Sequence, residues 1–156
     1  MPATDKYKRK AFAYITHRGR LLVFRQPAFP EAGIQVPAGT VQEGEALDDA
    51  VLREATEETG LTELRLGRFL GDGVWEERGD GRDEVHHRFF YHLRCGGQPP
   101  ETWQHWEMEP SGGTPPVRFA LFWVALPDVP ALIAGHDAMI PQLLRALAAD
   151  DEATSG

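Results

Sequence analysis

The stretch that most constrains this chain is residues 39–61, GTVQEGEALDDAVLREATEETGL. Glu54, Glu57 and Glu58 stand at i, i+3 and i+4, so on a helix they converge on one side. On a wheel of about 100° per residue starting at Leu47, the apolar Ala50, Val51 and Ala55 fall within roughly 80° of it, and so do the three glutamates. The acids therefore continue the buried face, while Asp48 and Asp49 point elsewhere. A carboxylate on a buried face is costly unless it is paired or metal-bound. Neighbouring carboxylates also raise one another's pKa. A hard divalent cation resolves both conflicts. Arg53 lies beside Glu57 on the wheel and can orient it, and Gly60 is placed to end the helix as a left-handed cap. An isolated E-x-x-E-E is usually a solvated helix end; sharing the apolar face sets this one apart.

Around this helix the pattern predicts strands and one further helix. Residues 10–16 and 20–25 form a hairpin about His17-Arg18-Gly19. A loop at 26–33 leads to a short strand at 34–36, and the acidic helix covers 46–59. Residues 64–75 hold one or two strands, followed by an acidic turn at 76–84. Residues 85–94 alternate as a strand with two distinct faces. A long irregular loop spans 96–116, a strand spans 117–126, and a C-terminal helix starts near Ile133 or Asp137 and ends near Ala149. Residues 1–9 and 150–156 read as loose tails of a single domain over 1–156. This order suggests an α/β layered domain with a mixed sheet.

The spacing carries a resemblance. Gly39, Glu45, Arg53-Glu54, the small apolar Ala55, Glu57-Glu58, Gly60 and Leu61 together resemble a complete Nudix box. Seven fixed residues, each with a background frequency of about 5–10%, recur by chance on the order of once in 10⁸ windows. The resemblance to the Nudix hydrolase family implies an α/β/α sandwich. It also implies metal-dependent cleavage of a diphosphate bond in a nucleoside diphosphate linked to another group. By position, it makes Glu54, Glu57 and Glu58 ligands of Mg²⁺ or Mn²⁺, with the Gly39 carbonyl completing the shell. Arg53 would hold the glutamates, and Glu45 would support the loop. Ala55 stands where a larger apolar residue is usual.

Outside the box the candidates are fewer. Arg25 ends a predicted strand, where the resemblance implies a contact to substrate phosphate. Arg88 shares a strand face with His86, Phe90 and His92 and is a candidate substrate contact. In the loop, Trp103 or Trp106 could stack a base, and one of Glu101, Glu107 and Glu109 could serve as a general base or a further ligand. Glu76, Glu77 and Glu84 compete for the same acid role. Substrate is set outside the box in this family. The chain lacks both the proline or tyrosine beyond the box associated with ADP-ribose or diadenosine polyphosphate hydrolases and the upstream motif of coenzyme A hydrolases. It contains no Asn, which excludes Asn-based reading of an oxidised guanine. The expectation is a small nucleotide-type substrate. Two alternatives stand beside it: a catalytically silent Nudix-fold nucleotide-binding module, and an RNA 5′-end pyrophosphohydrolase.

Charge and composition bear on partners. The net charge is −8, and all three lysines lie within the first ten residues. Such a surface disfavours a stable nucleic acid complex, which rests on counterion release by Lys and Arg. No apolar run approaches the roughly 20 residues of a membrane span. The N-terminus lacks the apolar stretch of a secretory signal, and the one cysteine, Cys95, fits a reducing compartment, so the expected location is cytoplasmic. The family resemblance also admits a homodimer.

Overall fold

The computed structural model describes residues 7–78, 83–108 and 115–155, with side chains to residue 151. Its centre is β1 (Tyr7–His17), which carries AFAYI buried on both sides. Ala11, Ala13 and Ile15 face one core, and Phe12 and Tyr14 face the other. A strand covered on both faces reads as a continuous apolar run. The two-residue connection Arg18-Gly19 has positive φ at both positions (50° and 75°) and turns β1 into β2 (Arg20–Arg25). That geometry suits the right-handed twist of a hairpin.

The sheet runs β4-β5-β1-β2-β7-β6, with the short β3 (Ala38–Thr40) paired to β1. Here β4 is Leu64–Glu77, β5 is Glu84–Cys95, β6 is Thr102–Glu107 and β7 is Val117–Ala125. The pairing of β1 with β5 is parallel and the others are antiparallel, so the sheet is mixed. α1 (Leu47–Thr59) packs Ala50, Val51 and Ala55 on the first face. α2 (Ile140–Ser155) packs Ile140 and Leu143 on the second, completing the α/β/α sandwich.

Several boundaries differ from the sequence expectation. Residues 7–9 are strand and not tail: their polar side chains hid a backbone that pairs with Val85, His86 and His87 of β5. Lys8 ion-pairs with Glu84 at 3.1 Å. Residues 150–155 continue α2, anchored where Asp150 accepts hydrogen bonds from Arg68 and Arg94. The expected strand at 34–36 is a single bridge, Phe24 to Gln35, and the regular pairing falls three residues later in β3. The C-terminal helix begins at Ile140, after a short 3-10 turn, Ile133–Gly135. The largest difference is in the supposed loop at 96–116, which contains β6. Thr102, Gln104 and Trp106 are exposed while Trp103, His105 and Glu107 are half-buried, a period-two pattern that two tryptophans and the flanking Gly and Pro obscured. Residues 79–82 of the acidic turn and Glu109 lie outside the described residues.

Candidate active site

The acidic helix opens at Ala46, in extended conformation, with no side-chain cap; Asp48 and Asp49 in its first turn favour the helix dipole. It closes at Gly60, whose φ of 76° is left-handed and whose N–H donates to the Thr56 carbonyl at 2.8 Å. β6 docks against this end. Trp103 Nε1 donates to the Thr59 carbonyl (2.8 Å), and the His105 ring pairs with the Glu57 carbonyl (2.9 Å). Both satisfy carbonyls that a helix end leaves without partners. The third residue on that strand face, Glu107, is thereby carried towards the acids of α1.

Glu54 and Glu58 are buried, 8% and 5% exposed. Oxygen atoms of Glu54, Glu58 and Glu107 all lie within 4.8 Å of one another. Glu57 departs from the expectation that all three box glutamates are buried. Its side chain is 54% exposed, because it sits at the edge of the apolar arc, where the rim meets solvent. It still lines the same cleft. Every carboxylate of the trio is pushed above the usual range. Burial is the main cause for each: Glu107 adds to the effect on Glu58, and Glu54 adds to that on Glu107. The Ala38 N–H, donating to Glu58 at 3.0 Å, offsets part of it.

Arg53 holds the acids in register. Its Nε and Nη2 donate to the two oxygens of Glu45 (2.7 and 2.9 Å), and its Nη1 to Glu54 (2.7 Å) and Glu57 (3.2 Å). Nη2 also reaches the Thr40 carbonyl at 3.1 Å. Glu45 is held down at about 2, first by Arg53 and then by the Gln42 N–H. Gly39 is required by close approach: a Cβ there would sit 1.9 Å from the Glu54 carboxyl carbon. Oxygen-only donors, mutual crowding of three acids and raised pKa values together fit a hard divalent cation.

The trio opens into a cleft of about 930 Å³. Of the residues expected outside the box, Arg88, Trp106 and Glu107 line it, and Arg25 and Trp103 do not. Arg25 is exposed and its guanidinium lies 4.9 Å from the Phe122 ring. Residues alternate along a strand, and Phe24 and Gln26, not Arg25, reach the cleft. Trp103 is spent on the end of α1 and the first core. Lys10 was not anticipated. It lies in the cleft in register with Arg88 and Thr40, and burial depresses its pKa. Its signal was present, a cation in phase with Phe12 and Tyr14 at the start of a buried strand.

The profile of the NUDIX domain matches residues 6–143 of this chain. The chain belongs to the Nudix hydrolase family. Among solved structures, a MutT NUDIX hydrolase from Burkholderia pseudomallei superposes with a TM-score of 0.60 and 27% identity, over 88% of this chain and 98% of that one. A UDP-X diphosphatase gives a TM-score of 0.64 at 16% identity, over 92% of this Nudix chain and 64% of that one, which is a likeness of fold. The NAD-capped RNA hydrolases NudC of Mycobacterium tuberculosis and Mycobacterium bovis are 41% identical over 63 residues. That match takes in 39% of this chain, which spans 20% of the length of those relatives. Among the described residues no helix is long and apolar enough to cross a membrane.

Proposed function

We propose that this Nudix chain hydrolyses a diphosphate bond in a nucleoside diphosphate linked to a second group, with Mg²⁺ or Mn²⁺ as its cofactor. One observation carries the reading: three crowded, mostly buried carboxylates open into a cleft large enough for a nucleotide. Glu54, Glu58 and Glu107 would hold the cation, and the reading keeps Glu57 and the Gly39 carbonyl in the same set by family resemblance. When bound, the cation would neutralise the diphosphate and stabilise charge on the leaving phosphate. Arg53 fixes the angle of Glu54 and Glu57, and Glu45 fixes Arg53. Lys10 supplies a fixed positive charge on the cleft floor. Trp106, 51% exposed beside Glu107, offers a flat apolar face to a base or sugar.

A diphosphate as the target is in keeping with two proteins that share the fold, a UDP-X diphosphatase and an ADP-ribose pyrophosphatase from Streptococcus suis. The NudC match adds a second reading, action on NAD-capped RNA, against which the acidic net charge of −8 counts. The single cysteine supports placing the protein in the cytoplasm. The deciding assay is a panel of nucleoside diphosphate sugars, dinucleotides, nucleoside triphosphates, 5′-triphosphorylated RNA and NAD-capped RNA, with Mg²⁺ and with Mn²⁺. Turnover of a small nucleotide, lost in Glu57→Gln and Glu58→Gln protein that stays folded, is the expected result. No release of phosphate or nucleotide across the panel would favour a silent binding module, and turnover in both variants would remove the metal assignment.

A further inference from the structure

The cleft is lined by a second buried cation, Arg88, that the diphosphate reading does not use. Arg88 is 5% exposed, in the middle of β5. Among the described residues it makes no ion pair. Glu77 acts on it as an opposite charge without pairing to it, and that exposed carboxylate is taken by Trp75 Nε1 at 3.0 Å. Two aromatic rings pack against the guanidinium, Trp75 at 4.7 Å and Phe12 at 4.9 Å. Nη1 donates to the Ala134 carbonyl, Nη2 lies 3.5 Å from His86 Nδ1, and Nε has no partner. Burial lowers its pKa to about 10.

A buried guanidinium with no ion-pair partner among the described residues is costly, and a chain that needed only a tie to Ala134 could make it with an uncharged donor. The surroundings keep it in place nonetheless. The Ala134 backbone is left-handed (φ 50°, ψ 41°) in the 3-10 turn that walls the cleft. Strain of this kind persists where neighbours over-determine a conformation, and it clusters at ligand sites. The neighbouring Gly135 leaves no room for a Cβ, which would meet the Trp75 ring at 2.8 Å and Arg88 Nη1 at 3.3 Å. Lys10 lies beside Arg88 in register across the β1–β5 pair and lines the cleft; His86, two residues along the same face, is tied to the Glu84 carboxylate at 3.0 Å. With rings on the guanidinium, what remains for a ligand is its N–H edge, the part that pairs with phosphate or carboxylate oxygens.

We propose that Arg88, with Lys10 beside it, is the receptor for a second anionic group of the substrate, a phosphate or carboxylate carried away from the scissile diphosphate. The favoured substrates are then diphosphate compounds with an additional negative charge on the attached group. Which end of the ligand lies at Arg88 rests on the diphosphate reading above; the anion receptor itself does not.

The test uses two matched pairs, UDP-glucose against UDP-glucuronate for a carboxylate and NADH against NADPH for a phosphate. Each is titrated calorimetrically into the full chain in EDTA, where turnover cannot intervene and the diphosphate contributes alike to both members. One charge-assisted contact predicts that the charged member of at least one pair binds about tenfold or more tighter. Arg88→Met should erase the preference while affinity for the member without the extra charge stays within about threefold, since only the contact to that charge is removed. Arg88→Lys, which keeps the charge and loses the fork, should retain part of it, and this variant decides the matter if Arg88→Met does not fold. Equal affinities within both pairs, no measurable binding of either charged member, or a preference that survives in the variants overturns the proposal. A silent hydrolysis panel with an intact preference would fell the diphosphatase reading alone.

Discussion

Glu58→Gln should make the metal-free protein more stable while abolishing its response to Mg²⁺. Glu58 is 5% exposed and shares 4.8 Å of space with oxygens of Glu54 and Glu107. At that separation two full charges repel by about 3 kcal/mol for an effective dielectric constant of about 20. The trio escapes most of this by holding protons, hence the raised pKa values. Gln removes the charge, still accepts from the Ala38 N–H, and offers an amide donor to the remaining acids. A net gain on the order of 1–3 kcal/mol follows, the range of one relieved buried polar conflict. For a chain of this size that is a rise of several degrees in Tm, at roughly 2–4 °C per kcal/mol. The sign with pH follows from the same shifts. An acid whose folded pKa lies above its unfolded value binds more protons when native, so wild-type stability in EDTA falls as pH rises from about 4.5 through the raised value. Glu58→Gln flattens that slope. Wild type should regain about 2.7 kcal/mol in Mg²⁺ at a hundred times its Kd, and the variant little of it. Thermal and urea denaturation in EDTA and in Mg²⁺, from pH 5 to 8, read all three effects. A variant less stable than wild type in EDTA, or one stabilised by Mg²⁺ as strongly as wild type, would refute the reasoning.

Gly39→Ala forces the Glu54 carboxylate out of its place, 1.9 Å from the new Cβ, and breaks its 2.7 Å bond to Arg53. Mg²⁺ affinity, read by thermal shift, should fall by about 10–100-fold while the protein stays folded. The two tryptophans of β6 should separate cleanly: Trp103→Ala should cost about 3 kcal/mol in urea denaturation through lost packing and a lost bond to Thr59. Trp106→Ala, at a residue 51% exposed, should leave stability unchanged and raise KM. His92 is fully buried and, chiefly through burial, held down at about 4. Its folded pKa lies below the unfolded value of about 6.5, so the unfolded chain binds more protons and stability is lost as pH falls between the two. Ring resonances of His92 should show a neutral imidazole at pH 5.5 in an NMR titration, and a charged ring there would contradict the burial argument.

The legible part of the site was the part set by local spacing. Glu54 and Glu58 were placed from their phase with Ala50, Val51 and Ala55, and the structure buries both. The same phase put Glu57 at the margin of the arc, where one helical step decides between core and rim, and the rim won. Arg25 lies off the cleft for a comparable reason: a strand gives two faces, and nothing in the residues around Arg25 says which one borders the cleft. β6 went unseen because its alternation is carried by Trp103, His105 and Glu107, none of which is fully buried at a sheet edge.

The sequence by itself determined the helix, its acids, the arginine among them and the small residue at Gly39, because helical periodicity and cap chemistry act within a few residues along the chain. Only the tertiary structure decided that Glu107 completes the carboxylate trio and that Lys10 and Arg88 stand side by side on the cleft wall. Those placements depend on β6 closing on the end of α1 and on β1 pairing in parallel with β5, contacts between residues 44 to 78 positions apart. Nothing in local spacing encodes which distant strand a given face will meet; that is settled by which arrangement buries both faces of β1 at once.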